Sequence, residues 1–424
     1  MTALRNLVVL IAVVAHLAGV MPAMADASLP QDITPLFDAG YQPQSDDEKG
    51  LWYLFDELER ELKTSPLLAE DESVNTYVSE LVAKLAGPYA GDVRVYILHD
   101  ASFNASMAPN GMMLVHSGLL LRVRNEAQLV AVLGHELGHY LRLHSLRQWR
   151  GTRRKTSVMQ TVLAAGGIAT GIQMQGLSTA GTNWWLIADT IALGLGLSIL
   201  SYSRAQEREA DAYGIKLMAE AGYTPDAAAD LWQQVISEGQ ASANELNRRY
   251  RDRSNSVLST HPPSARRMAQ LRGWAKSLTF YDGSEVSRVD GADRYRQNIA
   301  PMQFGMLRAH VHQSNAGAGL YLIKALAESG WTGNLRFFEG EIYARRGQSG
   351  DEARAAKAYA AAVALPDAPP EAWRAHGYAC QKAGDVSGAL EAFDTYLALV
   401  PEAPDAAMIR YSVATLTKQM EAPE

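Results

Sequence analysis

A chain of 424 residues has room for two or three domains, each burying its own core. It is 47% hydrophobic and 20% charged, an ordinary globular balance, and its formal net charge of −7 argues against nucleic acid as a partner. The single cysteine, Cys380, excludes an internal disulfide.

In chain order, the first expected element is a leader. Residues 1–25 run from Arg5 through an apolar stretch to Pro22 and Ala23-Met24-Ala25, the order of a cleavable secretory signal peptide. No cysteine stands near that site, which excludes lipidation of the new N-terminus. The expectation is an exported protein of a bacterial periplasm. Two helical patterns follow, at 46–63 and 71–87, the second stopped by Gly87-Pro88. The period then becomes that of strands at 93–98 and 112–115, with the turn Pro109-Asn110-Gly111 between them. A third helix opens near Asn125, with Gln128 three residues on as a capping partner.

Beyond a basic run at 147–155, two apolar stretches, 157–177 and 184–200, form a helical hairpin. Gln160, Gln173, Gln175 and Asp189 interrupt them, so they read as amphipathic helices rather than membrane spans. In this reading they touch lipid or an unfolded client at the surface, so residues 147–200 offer a peripheral membrane contact. An amphipathic helix at 203–221 comes next, helices continue to about 276, and a polar linker holds Asp282-Gly283 and Asp290-Gly291. The remainder is helical and rich in alanine. Gly350-Asp351, Ala355 and Tyr359 recur as Gly384-Asp385, Ala389 and Phe393, all at a spacing of 34. That spacing with those residue types is the tetratricopeptide pattern. The expected fold class is therefore mainly α with a small β-sheet. The expected domains are 26–285, which contains the hairpin 157–200, and a helical repeat domain at 292–424.

The stretch VLGHELGHYLRLH at 132–144 carries the chemistry. His135 and His139, four apart on a helix, present two imidazoles to one point, with Glu136 one step around. Two imidazoles and one further protein ligand would hold a single Zn²⁺ with a position open to water, whose proton Glu136 could take. Three candidates exist for that ligand. His144 lies five residues past His139 and is rejected on helical phase. In SRAQEREADAYG at 203–214, Glu207 and Asp211 share a face, so one carboxylate can bind metal while the other holds a histidine N–H. Glu209 points to solvent in this reading. His261, in LSTHPPSARRM, fits a ligand, a transition-state stabiliser or an ordinary loop histidine.

HELGH, SRAQEREADAYG and STHPPSARRM in this order resemble the zinc metalloprotease superfamily of HtpX and the CAAX prenyl proteases. The resemblance is strongest to its exported BepA-like branch, which ends in tetratricopeptide repeats, and covers nearly the whole mature chain. It implies a gluzincin-type protease domain followed by an α-solenoid. It also implies Glu207 as the third zinc ligand, Asp211 as the partner of a ligating histidine, and His261 as a cover over the metal at rest. The segment FNASMAPNGMMLVHSGLL resembles the family's strand beside the cleft, where a glycine pair is usual and only Gly111 is present. The implied activity is hydrolysis of misfolded or stalled exported proteins, with the repeats docking clients or the outer-membrane assembly machinery. A second function carried alongside it is a chaperone or adaptor with a self-restrained metal site.

Overall fold

The computed structural model describes residues 28–30, 33–153, 202–250, 265–281, 284–285 and 288–421. The leader 1–25, the hairpin 157–200 and His261 lie outside the described residues.

Helix α1 (Asp46–Leu62) begins at a Ser45–Glu48 capping box. Helix α2 (Glu72–Ala86) begins with the Asp71 carboxylate accepting from the Val74 N–H. A three-stranded sheet follows, β1 (Arg94–Leu98), β2 (Ala105–Met107) and β3 (Met112–His116). Its order is β1-β3-β2, with β1 parallel and β2 antiparallel to β3. The turn into β3 needs glycine: Gly111 has φ +89, and a Cβ there would meet the Asp92 carbonyl oxygen at 2.0 Å. A buried cluster pins the same turn. Glu59 accepts from Arg94 Nε and one terminal nitrogen at 2.6 Å each and from the Asn110 amide at 3.0 Å.

After α3 (Ser117–Arg122) comes α4 (Glu126–Leu141), capped by Asn125 as the sequence predicts. Gln128 bonds the Arg124 N–H rather than that of the cap residue. Helix α5 (His144–Arg153) is a separate segment, and α6 (Arg204–Glu220) opens on a Ser203–Gln206 capping box. Helix α7 (Asp226–Glu245) packs on α4 and on α8 (Ala265–Thr279), α8 packs beside α6, and a two-residue ribbon, β4 (Phe280–Tyr281) with β5 (Ser284–Glu285), follows.

Helix α9 (Ala292–Gln313) then runs back against α2, α3 and α4, and α10 (Ala316–Leu326) packs on α7. The rest is antiparallel pairs: α11 (Gly333–Arg346) with α12 (Asp351–Val363), then α13 (Pro370–Ala383) with α14 (Val386–Leu399), closed by α15 (Ala406–Glu421). Gly340 faces the Tyr359 ring and Gly377 the Phe393 ring so closely that a Cβ would lie 2.4 and 2.6 Å away. The aromatics recur at 34 residues and the glycines at 37, so each pair sets an aromatic against a glycine. One hydrophobic core runs from Val78 and Leu133 through Trp274, Tyr295 and Leu307 to Phe338 and Tyr359. It crosses the polar stretch at 282–291 without a break. No helix among the described residues is long and apolar enough to cross a membrane.

Candidate metal centre

The site is made where α4 crosses α6. Gly134 and Gly138 on α4 meet Ala210 and Gly214 on α6 at backbone contact; a Cβ on Gly214 would sit 2.7 Å from the His135 nitrogen. Without side chains between them, the two helices bring their polar stripes together. His135, His139 and Glu207 then lie with ligand atoms within 4.8 Å of one another, all buried. The two Nε2 atoms are 3.0 Å apart. Glu207 is 3.6 Å from that of His135 and 3.4 Å from that of His139.

The other edge of His135 is engaged. Its Nδ1 lies 3.0 Å from Asp211 Oδ1 and 3.2 Å from an Arg267 nitrogen; the shorter contact, to a carboxylate that only accepts while ionised, favours the proton on Nδ1 and a lone pair on Nε2. That lone pair and the Glu207 carboxylate converge on one point as acceptors. Two imidazoles and a carboxylate in this arrangement suit a divalent metal.

Arg267 on α8 completes the wall. Its Nε and one terminal nitrogen donate to Asp211 at 2.7 and 2.6 Å, and its other terminal nitrogen is 3.2 Å from Glu207. The guanidinium stacks 4.3 Å over the Trp232 ring. Burial pushes the Asp211 carboxyl up, but Arg267 and the bond to His135 outweigh it and hold Asp211 below its ordinary value. Burial likewise opposes charge on Arg267, and Asp211 and Glu207 raise it nonetheless. Glu136 is 2% exposed and lines a cavity of about 40 Å³ together with His135, Asp211, Arg267, Val132, Trp232 and Leu271. That is room for a small apolar side chain or a few waters.

The geometry of the sequence candidates divides cleanly. His135, His139 and Glu207 meet, Glu136 flanks them in the cavity, and Asp211 holds His135. His144 is not among the three, as the sequence argument expects, but it contacts one of them for a reason helical phase does not cover. Helix α4 ends at Leu141, and Leu143 takes a left-handed turn (φ +51) before α5 begins at His144. The phase of α4 therefore stops applying, and His144 Nδ1 reaches His139 Nδ1 at 2.8 Å. Nor does Glu209 face solvent. It is half-buried, takes His144 Nε2 at 3.2 Å and pairs with Arg142 and Arg147. Burial brings the His144 ring down to about 4, despite the opposing Glu209, so it is neutral. Tyr202 stacks on the His139 ring at 3.7 Å and bonds Ser145 at 2.9 Å. The contacts of Arg267, Tyr202 and Trp232 are not legible in the sequence, because they join elements far apart in the chain, although Arg267 itself lies in the segment STHPPSARRM.

Residues 68–275 match the family model described as Peptidase family M48, and the chain carries an M48 metalloprotease domain there. The mitochondrial metalloendopeptidase OMA1 of Schizosaccharomyces pombe is 29% identical over 42% of this chain and 46% of its own length. The beta-barrel assembly-enhancing protease of Escherichia coli is 25% identical over 65% of this chain and 53% of its own. The metalloprotease YcaL of Escherichia coli is 27% identical over 42% of this chain and 60% of its own. The chain thus spans about half the length of the curated relatives it matches.

Proposed function

We propose that the chain is a zinc-dependent endopeptidase of the bacterial periplasm that cleaves misfolded or stalled outer-membrane proteins and other exported chains. What supports this most is the buried Glu136 in the wall of a cavity shared with His135, beside two further metal-type donors. A site that held metal for structure alone would have no use for a carboxylate there.

In this reading His135 Nε2, His139 Nε2 and the Glu207 carboxylate hold the zinc. A bound zinc ion would polarise a water and the scissile carbonyl. Glu136 takes a proton from the attacking water and returns it to the departing amine. Asp211 keeps the His135 proton on Nδ1, and Arg267 keeps Asp211 ionised and oriented. The apolar walls from Val132, Trp232 and Leu271 receive a substrate side chain and exclude water. His261 enters as the removable fourth ligand of a resting state. The repeats at 292–424 dock clients or the outer-membrane assembly machinery, and residues 147–200 lean on a membrane surface. The names of the beta-barrel assembly-enhancing proteases support that setting, as does the leader pattern at 1–25.

The test measures zinc content and casein cleavage of the full chain beside Glu136→Gln. The variant is expected to keep its zinc and lose cleavage by roughly a hundred- to ten-thousandfold, because an amide accepts no proton. Cleavage by the variant at the wild-type rate would reject the mechanism. A wild-type chain that holds zinc and cleaves nothing would leave the chaperone or adaptor reading.

A further inference from the structure

The two metal-facing histidines are supported differently, and only one support has the familiar form. His135 leans directly on a carboxylate, Asp211. His139 has an imidazole at its Nδ1. This is His144, whose Nδ1 is 2.8 Å away, and behind His144 stands Glu209, 3.2 Å from its Nε2. We propose that His144 and Glu209 form a relay that sets the tautomer and orientation of His139, so that helix α6 fixes both imidazoles. Asp211 would hold His135 directly, and Glu209 would hold His139 through His144. The proposal rests on the reading of His135, His139 and Glu207 as a metal site.

The proton bookkeeping admits one solution. Glu209 is paired with Arg142 and Arg147 and only accepts, so His144 Nε2 carries the proton. A neutral imidazole with its proton on Nε2 has a bare Nδ1, which accepts from His139 Nδ1–H. His139 is then left with its lone pair on Nε2, the atom facing His135 and Glu207. The opposite tautomer of His139 would put two bare Nδ1 atoms 2.8 Å apart and a proton where the metal ligand is needed.

The scaffold is consistent with positioning rather than filling. The left-handed Leu143 is what turns His144 back beneath His139. The His144 carbonyl is held at 3.2 Å by the Gln206 side chain, so α6 grips the backbone and the ring of His144 together. Tyr202 stacks on the face of the His139 ring and fixes its plane. Both rings are 0% exposed, so no solvent competes for the bond between them.

Two measurements on the full chain test this. In metal-free protein labelled with ¹⁵N-histidine, above neutrality, long-range proton–nitrogen correlation reads each ring's tautomer, with His139 assigned by its loss in His139→Gln. His139 is expected as Nδ1–H in the wild type and as a mixture in His144→Leu. Zinc affinity is then measured by chelator competition. His144→Leu is expected to lose roughly ten- to a hundredfold, the usual cost of removing a ligand's supporting partner. His144→Asn, whose Oδ1 stands where Nδ1 stood, should recover most of it, which a packing role would not explain. Glu209→Leu should weaken zinc binding in the wild type and add nothing in the His144→Leu background. An Nε2–H tautomer at His139 in the wild type overturns the relay. So does wild-type zinc affinity in His144→Leu, an Asn variant no better than Leu, or additive losses for Glu209. A wild type that takes up no zinc overturns the metal-site reading instead, and the tautomer measurement still judges the relay.

Discussion

Three acidic residues alternate on the first turns of α6, and their different surroundings separate their roles. Glu207 faces the two Nε2 atoms, Glu209 faces His144 and two arginines, and Asp211 faces His135 and Arg267. Glu207→Ala is therefore expected to abolish tight zinc binding, since two imidazoles remain without a third donor. Asp211→Asn should weaken it only about ten- to a hundredfold, because the ligand survives and loses its orienting partner. Chelator competition on both variants checks the order; equal losses would mean that the ligand and the supporting residue have been confused. At this scale His135, Glu136, His139, Glu207 and Asp211 were legible, because pairs four apart on a helix follow a local rule. Arg267 was not, since its bond to Asp211 depends on how α8 crosses α6. The contact of His144 with His139 was hidden for a local reason: Leu143, a residue with no left-handed preference, ends the helix on which the phase argument relied.

The elements explain how those residues meet. Asn125 announces the start of α4 and caps it as the sequence indicates, and Ser203 caps α6. Strand β2 gave no such sign: it has three residues, all buried, so no alternation of polar and apolar positions marks it. The crossing of α4 on α6 also lies beyond local reading, although its material, Gly134, Gly138 and Gly214, is in plain view. Gly214→Ala puts a methyl 2.7 Å from a backbone atom of His135, which cannot swing aside as a side chain could. We expect a loss of about 1–3 kcal/mol, typical of overpacking, together with weaker zinc binding as the two polar stripes separate. Gly273→Ala on α8 is the matched control. A Cβ there meets nothing within 4 Å, so the substitution should be neutral or stabilising by about 1 kcal/mol through helix propensity. Urea unfolding of the two variants decides, and equal stability would mean that the helices are not in backbone contact.

Across the whole molecule, α9 ties the catalytic half to the repeats. Tyr295 bonds the Leu120 carbonyl, Arg294 reaches Glu126 at the start of α4, and Leu307 is wholly buried. The repeat period was readable because it is a recurrence along the chain, whereas this joint is a meeting of distant segments. His310 reports on it. The ring is 1% exposed, with Nδ1 3.1 Å from an Arg122 nitrogen and Nε2 3.3 Å from Ser314, while Glu238 on α7 takes the same Arg122. Burial first, and then the Arg122 charge, push the His310 ring from 6.5 down to about 3. Above pH 6.5 both folded and unfolded chains leave this ring neutral, so it contributes no pH dependence. Below 6.5 the unfolded chain takes up a proton that the folded chain refuses until about 3, so stability falls as pH falls through that window. His310→Asn keeps an acceptor for Arg122 and removes the titration. Between about pH 7 and pH 5 the metal-free wild type should lose on the order of 2 kcal/mol more than the Asn variant, at roughly 1.4 kcal/mol per unit below 6.5. Urea midpoints at the two pH values measure the difference. Identical slopes would mean that His310 takes its proton in the folded chain and that the joint is open to water.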